Sequence, residues 1–145
     1  MIGPQAIEAA APGGVSALAE EVLDLLDAHA EGVGHPFVPE QLGFALREQG
    51  RLVAGITGHL TFGWLFIKFL AVAPEQRGRG IGSALLARIE QTARAAGAIG
   101  AMVDTYGFQA EGFYLAHGYR VLGRLETPDP ALTRIYLSKR FEAVS

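Results

Sequence analysis

The 145-residue chain contains no cysteine. Disulfides, thiol nucleophiles and cysteine-ligated zinc are excluded together, and the chain suits a reducing compartment. Its four histidines, at 29, 35, 59 and 117, fall at no metal-ligand spacing such as His-x-x-x-His, so no metal is expected. Positive charge is not in excess: twelve Lys and Arg stand against fifteen Asp and Glu, a formal net charge of -3. That removes the basic field a nucleic-acid binder needs. No uncharged apolar run reaches the roughly 18 residues of a spanning helix. Met1 to Glu8 also lack the basic stretch and apolar core of a secretory leader. The expectation is a cytoplasmic protein with neither nucleic acid nor membrane as partner.

What is present is core-forming material: half of the residues are hydrophobic and 19% are charged. This is enough apolar surface for a chain of this length to fold as one domain over residues 1–145, with one site. The nineteen glycines are well above the roughly 7% usual in globular proteins. Three of them, Gly78, Gly80 and Gly82, alternate in a single segment that presents backbone rather than side chains.

Residues 1–14, rich in Ala, Gly and Pro, read as a loosely held arm with a short strand around Gln5 to Ala9. Ser16 is placed to cap a helix whose apolar residues Leu18, Val22, Leu25 and Leu26 recur at helical spacing until Gly32 and Gly34. Gln41 to Arg47, a turn at Glu48-Gln49-Gly50 and Arg51 to Leu60 predict a hairpin, with Gly55 and Gly58 marking a twist or bulge. Trp64 to Val72 is nearly continuously apolar and predicts a central strand covered on both faces. Pro74 ends it. Beyond the glycine loop, Ile81 to Ala96 predicts a second amphipathic helix with Leu85, Leu86, Ile89 and Ala93 inward and Gly97 at its end. A strand at Ala98 to Thr105, a short helix at Gln109 to His117 closed by Gly118, and strands at Tyr119 to Glu126 and Thr133 to Arg140 complete the chain.

The segment Glu75-Gln76-Arg77-Gly78-Arg79-Gly80-Ile81-Gly82-Ser83 joins a strand to a helix start, where free N–H groups and the helix dipole favour an anion. The glycines allow close approach, and Arg77 and Arg79 add charge suited to a pyrophosphate. No Gly-Lys-Ser/Thr follows, and the spacing is not Gly-x-Gly-x-x-Gly, which weakens nucleotide-triphosphate and dinucleotide readings.

Val72-x-Pro74-x-Gln76-Arg77-Gly78-x-Gly80-Ile81-Gly82, followed in order by Ala110-x-x-Phe113-Tyr114-x-x-x-Gly118-Tyr119, resembles the GNAT superfamily of acetyl-CoA-dependent N-acetyltransferases. The resemblance covers roughly residues 41–140. It implies an α/β (α+β) fold with a mixed, mostly antiparallel sheet, splayed after its central strand and flanked by helices, into which acetyl-CoA enters as if adding a strand. It further implies that the backbone of Gln76, Arg77, Gly78, Arg79, Gly80, Ile81, Gly82 and Ser83 holds the pyrophosphate. Leu70, Ala71 and Val72 would pair with the pantetheine arm, and Tyr114 would protonate or hydrogen-bond the departing thiolate.

Two departures from the family pattern stand out. An asparagine often found seven residues before the tyrosine is Gly107 here, with Gln109 a substitute contact. The strand glutamate that serves many members as general base is missing from Ile67-Lys68-Phe69. Asp104 ranks first among replacement bases, ahead of Glu111, His35 and His29, while Lys68 would need strong desolvation and suits an ion pair better. His117, in a last helical turn, reads as structural. The implied function is acetyl transfer to a primary amine of a small molecule or peptide, with a non-catalytic acyl-CoA-binding sensor or scaffold as the rival and homodimer formation left open. The first helix, Gly32 to Pro39 and Thr127 to Thr133 are where the acceptor would be chosen.

Overall fold

The computed structural model describes residues 3–142. Contacts divide the chain into two units, with the boundary in sequence between Val38 and Pro39. The first unit holds one helix, α1 (Val15–Gly32). The short strand expected around Gln5 to Ala9 is not formed: Pro4 opens a 3₁₀ turn over Pro4–Ala6, closed by the Ile7 amide on the Pro4 carbonyl at 3.2 Å. Nor does Ser16 cap α1. The helix starts two residues earlier, with Gly14 at the cap position, because a turn from Ala11 to Gly14 delivers the chain to it and the Gly14 carbonyl already accepts from Leu18.

The second unit is a six-stranded sheet in the order β1-β2-β3-β4-β6-β5. Its strands are β1 (Glu40–Glu48), β2 (Arg51–Thr61), β3 (Trp64–Val72), β4 (Gly100–Tyr106), β5 (Arg120–Leu125) and β6 (Arg134–Arg140). All neighbours are antiparallel except β3 and β4, which the helix α2 (Ile81–Ala95) connects in parallel. Both hairpins turn through two residues of positive φ, Gln49-Gly50 and Phe62-Gly63. This geometry matches the right-handed twist of the flanking strands.

β3 departs from the expected doubly covered strand. Its register with β2 shifts so that Thr57 faces Phe69 and Gly58 faces Ile67, which leaves Lys68 with no partner. The extra residue changes the phase of alternation: Leu65 and Ile67 before the bulge, and Leu70 and Val72 after it, all reach the same core. The apolar run is thus one core face written in two phases, and Phe69 is 66% exposed. Gly58 is needed at the bulge, since a Cβ there would lie 2.6 Å from the Phe66 carbonyl oxygen.

On the core face lie Leu85, Leu86, Ile89 and Ala93 of α2, with Ile56, Leu65, Ile135 and Leu137 from the strands. Leu86 and Ile89 are fully buried, so truncating either to Ala should cost about 2–5 kcal/mol. One charged group enters this core. Glu90 accepts from the Tyr119 hydroxyl at 2.7 Å and from Lys139 Nζ at 2.8 Å, which satisfies both carboxylate oxygens.

Candidate active site

β3 and β4 pair only through Trp64–Phe66 and Gly100–Met102. A bulge bends the strand that carries it, and from Ile67 onward β3 leaves β4. Its edge toward β4 therefore has no strand partner over Ile67 to Val72. The gap is a cavity of about 1150 Å³ lined by β3 from Phe66 to Ala71, β4 from Met102 to Tyr106, and by Gln41, His59, Gln109, Ala110, Tyr114 and Arg134.

The glycine loop lies beyond Val72, past the end of this open edge. Pro74–Gln76 form a 3₁₀ turn in which the amides of Gln76 and Arg77 bond the carbonyls of Ala73 and Pro74. These two amides are committed. Gln76 instead contributes a buried side chain, donating to Glu48 and accepting from Arg79, both at 3.2 Å. Arg77 Nε bonds the Val72 carbonyl at 3.3 Å. Gly78 and Gly80 adopt φ of 80° and 76°, and Gly80 caps α2. The first-turn amides of a helix have no intrahelical partner, so Ile81, Gly82 and Ser83 present N–H groups together with the positive end of the dipole. Gly82 lies against Phe113 and Val72, to which a Cβ would come within 3.5 and 3.7 Å.

Tyr114 is carried by the short helix α3 (Glu111–Ala116) and is 4% exposed. Its ring meets the edges or faces of Phe113 and Tyr119 at 5.2 and 5.5 Å. Its hydroxyl bonds no group among the described residues. Because no buried side-chain polar atom among the described residues lacks a partner, that hydroxyl must reach open space, which the cavity supplies. Burial, with a smaller contribution from the negative charge of Asp104, pushes the phenol up to about 12. The group stays protonated at every physiological pH.

Asp104 is on the cavity wall within β4, and its Oδ2 takes both Nε and Nη2 of Arg134 at 2.8 Å. The Arg134 guanidinium, held more firmly charged by that carboxylate, also lies over Tyr106 and Tyr136. The other base candidates are placed differently. Glu111 is ion-paired with Arg124. His29 and His35 belong to the first unit, whereas every cavity residue belongs to the second. Among the described residues Lys68 makes no ion pair; its ammonium lies over the Phe69 ring at 5.5 Å.

The glycine at 107 has a steric cause: a Cβ there would run into the Pro130 carbonyl oxygen, and the Gly107 amide bonds Thr133. No asparagine fits. Gln109 lines the cavity nearby, its Oε1 accepting from the Thr105 hydroxyl and the Tyr106 amide, both at 3.2 Å. Its amide nitrogen is left to donate.

Arg134 and His59 line the cavity and were not among the site candidates read from the sequence. Arg134 joins Asp104 from 30 positions away, a relationship only the β4/β6 register reveals. His59 pairs across β2 and β3 with Phe66, on whose ring it stacks at 5.1 Å. The two-residue alternation of β2 was the signal that could have placed it opposite the core.

Known proteins agree with this architecture. The description "Acetyltransferase (GNAT) family" matches residues 14–119. Blasticidin-S acetyltransferase of Streptomyces morookaense is 41% identical over 97 residues, covering 66% of this chain and 71% of that protein. A crystal structure of an acetyltransferase from Bacillus cereus superposes with a TM-score of 0.74 at 29% identity, covering 93% of this chain and 96% of that one. The same fold is seen in an aminoglycoside 6'-N-acetyltransferase complexed with coenzyme A, at a TM-score of 0.61 and 19% identity over 73% of this chain and 76% of that one. The chain belongs to the GNAT family of acetyltransferases. It is an acetyl-CoA-dependent enzyme of that family.

Proposed function

We propose that the protein transfers the acetyl group of acetyl-CoA to a primary amine of a small-molecule acceptor, within the cleft where β3 parts from β4. The observation that carries this reading is the Tyr114 hydroxyl, unpaired by protein and open to a cavity that runs along a free strand edge. A pantetheine arm carries amides and pairs with such an edge as a peptide does. Leu70, Ala71 and Val72 supply the backbone for it, and the Gln109 amide nitrogen serves as a donor in place of the family's asparagine. The pyrophosphate then falls on the loop, where the amides of Gly78, Arg79, Gly80, Ile81, Gly82 and Ser83 and the charge of Arg79 receive it. The amides of Gln76 and Arg77, spent on the turn, hold the loop rather than the anion.

The acceptor nitrogen, once deprotonated, attacks the thioester carbonyl carbon, and the C–S bond breaks with its electron pair on sulfur. The Tyr114 phenol, kept protonated by burial, gives the leaving thiolate a hydrogen bond and then its proton. Asp104, pinned by Arg134, favours the protonated phenol by its charge. A small-molecule amine as acceptor is supported by a relative named for acetylation of blasticidin S. The strand acid many members use as base is missing from Ile67-Lys68-Phe69, so the proton acceptor comes from elsewhere in the cavity.

Release of free thiol from acetyl-CoA on adding blasticidin S or another primary amine tests this reading. Amine-dependent release supports transfer to a small-molecule amine. Acetyl-CoA binding with no release from any amine contradicts it.

A further inference from the structure

The geometry points to His59 as the general base of the reaction, a role that rests on the acetyl-transfer reading above. Its ring lies at the cavity wall on the row Gln41, His59, Phe66 and Met102, which crosses β1 to β4 in register. Stacking on Phe66, with an interplanar angle of 18°, fixes the plane of the imidazole. Its Nδ1 lies 2.9 Å from the Thr61 hydroxyl, two residues along the same strand face. When Nδ1–H donates to Thr61, Nε2 carries the lone pair. Among the described residues Nε2 itself has no bonding partner, and no buried polar side-chain atom is left unpaired. It is therefore accessible. An oriented imidazole with one nitrogen anchored and the other open on a cavity is the arrangement a general base requires.

The alternatives in the same cavity are each occupied or of the wrong kind. Besides His59, the charged or titratable side chains facing it are Lys68 from β3, Asp104 and Tyr106 from β4, Arg134 from β6 and Tyr114 from α3; β1 contributes only the neutral Gln41. Tyr106 is a phenol beneath the Arg134 guanidinium. Asp104 is tied through Oδ2 into an ion pair with Arg134, and Tyr114 holds the proton destined for sulfur. Lys68 is a cation over Phe69. Among the described residues lining the cavity, His59 alone presents an imidazole nitrogen with no partner.

The proton balance closes. The acceptor arrives as R–NH3⁺, and Nε2 of neutral His59 takes one proton to become imidazolium. The amine lone pair forms the C–N bond, and the tetrahedral intermediate expels the thiolate, which takes the Tyr114 proton. The second nitrogen proton, lost as the amide forms, returns through solvent to the phenolate. His59 releases its proton to bulk water. The products are the acetamide, CoA thiol and one H⁺.

The test measures CoA release with blasticidin S as acceptor across pH, for the wild type, His59→Gln and His59→Ala, beside acetyl-CoA affinity by calorimetry. Both variants should bind acetyl-CoA as the wild type does, with kcat/KM lower by about a hundredfold, the low end for loss of a general base. The wild-type rate should fall as acid protonates His59. In His59→Gln that limb should disappear, leaving a rate that climbs only with the free fraction of the amine. Added imidazole should restore part of the rate of His59→Ala, which a packing role does not allow. A His59→Gln enzyme with unchanged rate and profile overturns the assignment, as does a parallel loss of cofactor affinity without imidazole rescue. A wild-type rate that follows free amine alone overturns it without any variant. Wild-type protein that releases no CoA with blasticidin S or any other amine instead refutes the acetyl-transfer reading, and the base with it.

Discussion

His117 Nε2 lies 2.9 Å from the hydroxyl of Ser83, while its Nδ1 lies 2.8 Å from the Phe113 carbonyl oxygen. A carbonyl only accepts, so Nδ1 donates, and Nε2 pairs with the Ser83 hydroxyl, which can donate or accept. One side chain thereby joins the first turn of α2, which carries the unpaired loop amides, to α3, which carries Tyr114. His117→Leu keeps the bulk and removes both bonds. It should lower stability by about 1–3 kcal/mol and weaken acetyl-CoA binding severalfold, measured by denaturant unfolding and calorimetry. Unchanged affinity would show that the loop holds its shape without α3.

The loop itself should depend on shape more than on charge. Gly82→Val pushes a branched side chain toward Phe113 and Val72, beside the amides that receive the pyrophosphate. The folded variant should lose acetyl-CoA affinity by tenfold or more. Arg79→Ala should lose less, and its deficit should shrink as salt rises because exposed charges are screened. Equal binding by Gly82→Val and wild type in calorimetry would place the anion elsewhere.

Tyr114→Phe should separate rate from affinity. Acetyl-CoA binding should persist while turnover falls tenfold or more, within reach of the hundredfold typical for a lost general acid. The buried phenol also makes a stability prediction. Its pKa is raised from 10.0 to about 12 in the fold, so folding favours the protonated form. That contribution is complete below pH 10 and is lost as pH rises from 10 toward 12. The wild type should therefore lose about 2–3 kcal/mol more than Tyr114→Phe across this range, read as a difference in unfolding midpoints.

Glu90 should matter to the fold and not to the chemistry. With 8% exposure and both oxygens bonded by Tyr119 and Lys139, it is a buried charge whose partners are stranded if it is removed. Burial and the Glu90 carboxylate both push the Tyr119 phenol up. Glu90→Ala should cost about 3–5 kcal/mol, visible as a lower Tm, while the specific activity of the folded fraction stays near that of the wild type.

The order of elements from Glu40 to Arg140 was legible because each signal is local. Helical spacing marks α2, and Gln49-Gly50 and Phe62-Gly63 each carry a glycine at a two-residue turn. The loop and Tyr114 were legible through motif resemblance. The Lys68 bulge was not, because an apolar run with a phase shift looks the same as a strand buried on both faces. Nor was the pairing of Asp104 with Arg134 or the place of His59, since both depend on which residues meet across strands. Gly107 shows the reverse case, a departure from the family pattern that only the nearby Pro130 carbonyl explains.

The central claim is that acetyl-CoA lies along the free edge of β3 with its pyrophosphate on the α2 loop. Titrating isotope-labelled protein with acetyl-CoA and following backbone amide resonances tests it directly. The largest shifts should fall on residues 67–72 and 78–83, with Tyr114 and Gln109 beside them. Shifts concentrated away from these segments, or none at saturating acetyl-CoA, would contradict it.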